Sequence, residues 1–151
     1  MNIQANKPRC ALVGIDGASF DVINRLIGEG RLPNIAALIA KGASGHVESS
    51  IPVLSPSVWT TIITGRNPGK HGIYDFLRHD LDQRKILFNS ATDRKAPPLW
   101  VNLGRDGKRV CVGGLIMTFP PDNVNGLMYS GFAADITTRG DNGETSRSCP
   151  P

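Results

Sequence analysis

Ser49-Ser-Ile-Pro-Val-Leu-Ser55-Pro-Ser-Val-Trp59-Thr-Thr-Ile-Ile-Thr64-Gly-Arg-Asn-Pro68-Gly-Lys-His71-Gly72-Ile73 carries both the start and the stop of a helix. Pro56 suits the first helical turn, where its missing N–H costs no hydrogen bond. Val58, Trp59, Ile62 and Ile63 fall at helical spacing and predict one apolar face. Ser55 is then expected as the N-cap. Its hydroxyl would sit beside unpaired backbone N–H groups and the positive end of the helix dipole, a position that attracts phosphate as readily as it caps a helix. Gly65 closes the helix and Asn67-Pro68-Gly69 reads as a turn. On these residues alone, a serine before an apolar run is first an ordinary cap.

Toward the start of the chain, residues 9–15 (Arg-Cys-Ala-Leu-Val-Gly-Ile) form a continuous apolar run, the pattern of a central parallel strand buried on both faces. Asp16-Gly17 ends it. A carboxylate just past the carboxyl end of a first strand lies where open α/β sheets bind ligands, although Asp-Gly is also a common turn pair. Ser19 can cap a helix with Phe20, Ile23 and Ile27 on one face, and Gly28 and Gly30 as stops. A second helix is expected over residues 35–40, ended by Gly42. Residues 46–50 alternate as a strand that delivers the chain to Ser55. Strand, helices, strand, helix is the order of a layered α/β domain with right-handed crossovers, so Asp16 and Ser55 are expected at the same sheet edge.

Beyond Gly72, residues 77–98 are polar without a clear period and read as a surface excursion. Residues 99–104 suggest a short helix with a turn at Asp106-Gly107. Residues 109–117 (Arg-Val-Cys-Val-Gly-Gly-Leu-Ile-Met) predict a second buried strand followed by the turn Thr118-Phe-Pro-Pro121, and residues 126–132 a further strand.

The pattern S-P-x-x-W-T-x-x-x-T-G-x-x-P-x-x-H-G-I, from Ser55 to Ile73, closely resembles the nucleophile segment of the type I phosphodiesterase and nucleotide pyrophosphatase family, within the alkaline phosphatase superfamily. Gly14-Ile-Asp-Gly-Ala18 and the phrase from Gly30 to Gly45 resemble the family as well. The resemblance implies an α/β fold with a three-layer α/β/α alkaline-phosphatase-like sheet, mostly parallel and here incomplete. It makes Ser55 the catalytic nucleophile and a metal ligand, and Asp16 a metal ligand. It implies two divalent metal ions, zinc first, with manganese or magnesium as the other candidates. The reaction it implies is hydrolysis of phosphodiester or pyrophosphate bonds through a phosphoseryl intermediate, on a small phosphate ester or nucleotide.

A serine hydroxyl is a weak nucleophile until a base or a metal takes its proton, and two zinc ions need about three protein ligands each. The family draws the remaining ligands from later segments, including an Asp-His pair. This chain has three histidines, His46, His71 and His79, and no Asp-His pair. Residues 1–135 are therefore read as the amino-terminal part of a longer phosphodiesterase domain, with hydrolysis impaired, and residues 136–151 as a polar, disordered tail. Asp75 and His79 have D-x-x-x-H spacing, which is weighed as coincidence, and His71 as a loop-bracing residue rather than a ligand.

The chain has 151 residues, 40% hydrophobic and 20% charged, which suits one soluble domain with a real core. Its polar start is unlike a signal peptide and no apolar run reaches membrane-spanning length, so a cytoplasmic place is expected. Cys10 and Cys111 lie in apolar runs and are expected as buried reduced thiols. The net charge of +4 is scattered, without the aromatic interleaving of a specific nucleic-acid surface, but it suits an anionic substrate. An incomplete sheet would expose an edge and apolar surface, from which self-association is expected. The competing function is a non-catalytic α/β module that binds an anion or a partner at the same helix start. A sulfatase is ranked lower because Ser55-Pro-Ser-Val-Trp59 lacks the Pro and Arg of the C/S-x-P-x-R signature.

Overall fold

Ser19, in an extended conformation, accepts the N–H of Val22 at 3.4 Å and caps α1 (Phe20–Gly28), as the sequence predicts. The computed structural model describes residues 9–82, 84–131 and 147–148. These fall into two compact units, one ending at Val47 and the other starting at Glu48.

In the first unit, α1 packs against α2 (Pro33–Lys41), which opens with a proline at its first position. Phe20, Ile23 and Ile27 are half-buried on one face, and no residue of either helix is fully buried. The Phe20 ring lies 4.6 Å from that of His46. Residues 9–15 and 46–50, both expected as strands, carry no strand. Leu12 is 68% exposed and Val13 79%, so the expected burial on both faces is corrected too. A parallel strand takes all its backbone hydrogen bonds from neighbours, and the sheets of the described residues do not include this segment. Asp16 and Gly17 do form the predicted turn, with Gly17 at φ +70°.

The second unit is mixed α/β with two small sheets. Its helices are α3 (Ser55–Thr64), the short α4 (Pro68–His71) and α5 (Leu99–Arg105). Gly65 ends α3 at φ +62°, a left-handed conformation that glycine adopts without strain. Asn67 caps α4 by accepting the Lys70 N–H at 3.1 Å, so the expected turn is one short helix. The polar stretch that showed no period contains an antiparallel hairpin, β1 (Leu77–Asp80) with β2 (Lys85–Phe88), paired from Leu77↔Phe88 to Asp80↔Lys85.

β3 (Val110–Gly113) and β4 (Gly126–Tyr129) pair in parallel, from Val110↔Gly126 to Gly113↔Tyr129, and β5 (Arg147–Ser148) adds antiparallel to β4. Only this one pair is parallel among the described residues. β3 is shorter than residues 109–117 because Gly114, at φ +73°, and Met117, at φ +59°, turn the chain out of the ladder. Its side chains alternate between half-buried and exposed. Cys111 points outward, and Cys10 lies in the unladdered segment; both thiols are exposed, against the expectation of burial. The tail expected over residues 136–151 lies outside the described residues, apart from Arg147 and Ser148.

Ile63, Trp100, Val124 and Met128 form the core of this unit, with Val101, Val110, Val112 and Leu115 packed on it. A buried ion pair closes one side. Arg94, its side chain 4% exposed, donates through Nη2 to both oxygens of Asp122 at 2.8 Å, and Trp100 Nε1 donates to the same carboxylate at 2.9 Å. Three charge-assisted bonds on one carboxylate tie the segment before α5, α5 itself and the approach to β4 together.

Candidate functional site

Ser55 is the first residue of α3 and half-buried. The cap is Leu54, extended at φ −124° and ψ 139°, whose carbonyl accepts the Val58 N–H at 2.9 Å. This corrects the expected cap by one position: the backbone turns helical one residue before Pro56, and a leucine side chain caps nothing. Ser55 still stands in the first turn of the helix, at the positive end of its dipole.

The face that α3 buries also differs from the one its apolar residues predict. Pro56, Ser57, Thr60 and Ile63 are buried, whereas Ile62 is 48% exposed. Hydroxyls recur at positions 57, 60, 61 and 64, the same i, i+3, i+4, i+7 spacing as an apolar stripe. Counting only hydrophobic residues hides that stripe.

Two of these hydroxyls turn back on their own helix. Thr64 Oγ1 donates to the Thr60 carbonyl at 2.6 Å, and Thr61 Oγ1 to the Ser57 carbonyl at 2.9 Å. Thr61 Oγ1 also meets His71 Nε2 at 3.0 Å. On the other side of the ring, His71 Nδ1 accepts the Ile73 N–H at 3.1 Å, so the proton of the neutral imidazole belongs on Nε2. His71 Nε2–H therefore donates to Thr61 Oγ1, and the Thr61 hydroxyl donates to the Ser57 carbonyl at 2.9 Å, nearer than its other acceptor, Ser50 Oγ at 3.5 Å. His71 is 0% exposed. Burial pushes its imidazole below the usual range; a bond to the Ser57 backbone works against this, and the charge of Arg94 adds to it.

His71 is itself held. Its carbonyl accepts the Lys95 N–H at 2.9 Å, next to the Arg94–Asp122 pair. Gly72 follows at φ +80°, with the aliphatic chain of Lys95 lying where a side chain would stand. Three buried polar atoms have no partner among the described residues: Ser57 Oγ, Thr60 Oγ1 and Arg94 Nε.

Asp16 is exposed, in the turn after residues 9–15 in the first unit, and Ser55 belongs to the second unit. Asp75 lies in a bend and exposed His79 in β1, so the helical face that their spacing offered does not form. A zinc site takes three or four ligands. Among the described residues no three His, Cys, Asp or Glu side chains gather as a set that could hold a metal ion, and His71 spends both ring nitrogens on Thr61 and Ile73. These residues alone do not make the two-metal cage. Thr61 and the Arg94–Asp122 pair escaped the sequence reading. Thr61 lies inside the quoted pattern, but the pair gave no local signal because its partners are far apart in the chain.

The family model for type I phosphodiesterase / nucleotide pyrophosphatase matches residues 10–148. That span takes in the Asp16 turn, both helices of the first unit, α3 with Ser55, and the His71 brace. No helix of the described residues is long and apolar enough to cross a membrane. Since the match covers most of the sequence, the chain belongs to the type I phosphodiesterase / nucleotide pyrophosphatase family.

Proposed function

We propose that the chain hydrolyses phosphodiester or nucleotide pyrophosphate bonds with Ser55 as its nucleophile. Membership of a hydrolase family whose model spans Ser55 carries this reading. Ser55 Oγ attacks phosphorus in line, the alcohol or nucleotide leaves, and water then cleaves the phosphoserine. The first turn of α3 favours the anion through its N–H groups and dipole. The family is generally metal-dependent, and bound divalent ions supply charge neutralisation and activation of the attacking oxygen. Asp16 and Ser55 are proposed as metal ligands on the resemblance of their segments, and the described donors do not by themselves complete a two-metal cage. Residues 1–135 are proposed to belong to a three-layer α/β/α domain of alkaline-phosphatase type.

The test is hydrolysis of bis(p-nitrophenyl) phosphate by the full chain with divalent metal added. Ser55→Ala should lower the rate by about 10³-fold or more. Turnover that survives the substitution sinks the assignment. Phosphate binding without turnover in the native chain would leave the anion-binding module in its place.

A further inference from the structure

We infer that His71 is a positioning residue for Ser55, acting through Thr61 Oγ1 and the Ser57 carbonyl to hold the first turn of α3 in one orientation. The inference rests on the reading of Ser55 as the nucleophile. An α-helix has 3.6 residues per turn, so Ser57 shares its turn with Ser55. The Ser57 carbonyl accepts the Thr61 hydroxyl at 2.9 Å, and that hydroxyl accepts from His71 Nε2 at 3.0 Å. A helix start is ordinarily its loosest part, because its first N–H groups lack partners inside the helix. Here it is pinned from the inner side.

The other end of the brace is anchored. Ile73 N–H fixes the ring at Nδ1, and Lys95 N–H fixes the His71 carbonyl at 2.9 Å. Arg94, the residue before Lys95, is bound to Asp122, which also accepts from Trp100 in the core. A continuous line of hydrogen bonds and chain neighbours thus runs from the core to the turn that bears Ser55. Ser57 itself is fully buried in this turn, so the carbonyl that takes the Thr61 hydroxyl belongs to a residue enclosed by the protein.

The test compares native chain, Thr61→Ser, Thr61→Val, His71→Leu and Ser55→Ala. Each is ¹⁵N-labelled and titrated with inorganic phosphate in buffer containing Mg²⁺, following the amide signals of residues 55 and 57. Thr61→Val keeps the shape and removes the hydroxyl, so it decides the matter even where His71→Leu fails to fold. Native chain and Thr61→Ser should bind alike, and Thr61→Val about fivefold more weakly or worse, with its melting cooperativity kept. Thr61→Val binding like native overturns the inference alone, as does Thr61→Ser binding as weakly as Thr61→Val. No phosphate response at these amides in the native chain removes the anion site itself, and the inference falls with it. Ser55→Ala tells the two apart, because it should keep the brace and the native Nε2–H signal of His71 while losing only the contacts of its own hydroxyl.

Discussion

Residues 9–15 and β3 are nearly the same sequence chemistry in two different states. Cys10-Ala-Leu-Val-Gly-Ile15 and Val110-Cys-Val-Gly-Gly-Leu115 are both short apolar runs with a cysteine and a glycine. β3 pairs in parallel with β4, and its Val110 and Val112 pack on the core of Ile63, Trp100, Val124 and Met128. The earlier run carries no strand, and Leu12, Val13 and Ile15 stand out in solvent. The difference lies in what adjoins each run. An apolar stretch becomes a strand when a neighbour takes its N–H and C=O groups and a core covers its side chains, and composition supplies neither.

The contrast between the two runs depends most on Gly126. It faces Val110 across the parallel ladder at φ +150°, and a Cβ there would fall on the Val110 carbonyl. Gly126→Val should therefore cost about 4 kcal/mol or more and abolish cooperative urea unfolding of the second unit, leaving β3 as unpaired as residues 9–15. A native-like transition in that variant would show that the ladder does not need the close approach. Next in size is Asp122→Ala, which strands the buried Arg94 guanidinium and the Trp100 N–H. About 3 kcal/mol should be lost, read as a lower urea midpoint at unchanged slope, and Asp122→Asn should recover part of it.

Local signals with nearby partners were legible in the sequence. The Ser19 cap, the proline at the start of α2, the proline in the first turn of α3 and the glycine stop at Gly65 all stand where residue type put them. The helix bearing Ser55 was legible for the same reason. Features that depend on a distant partner were not: the strand status of residues 9–15, the four-residue hairpin strands, and the Arg94–Asp122 pair. The buried face of α3 carries hydroxyls that hydropathy does not count. Thr61 and Thr64 donate to carbonyls of their own helix and Thr61 accepts from His71, whereas Ser57 Oγ and Thr60 Oγ1 have no partner among the described residues.

His71 gives the second unit a pH dependence. Burial holds its folded-state pKa below the unfolded value of about 6.5. Below that value the unfolded chain binds the proton that the folded chain refuses, so stability is whole above about pH 6.5 and falls as the pH drops from there toward the folded pKa. Urea midpoints at pH 7.5 and 5.5 should differ in that direction in the native chain and converge in His71→Gln, after other acid-sensitive groups are subtracted through the variant itself. An unchanged difference in His71→Gln would place the pH dependence elsewhere.

The smallest expected effect comes from one valine in each of the two runs. Val13→Ser and Val112→Ser remove the same apolar groups from the two similar runs. Val13 is 79% exposed and carries no strand, so its loss should stay within about 0.5 kcal/mol. Val112 packs on the core and should cost about 1–2 kcal/mol. Amide hydrogen exchange reads the same contrast without mutation: Val112 and Met128, opposite each other in the ladder, should exchange far more slowly than Leu12 and Val13. Equal protection of the two runs would mean that residues 9–15 have found a ladder in solution. Val13→Ser would then cost what Val112→Ser costs, and the two runs would share one state.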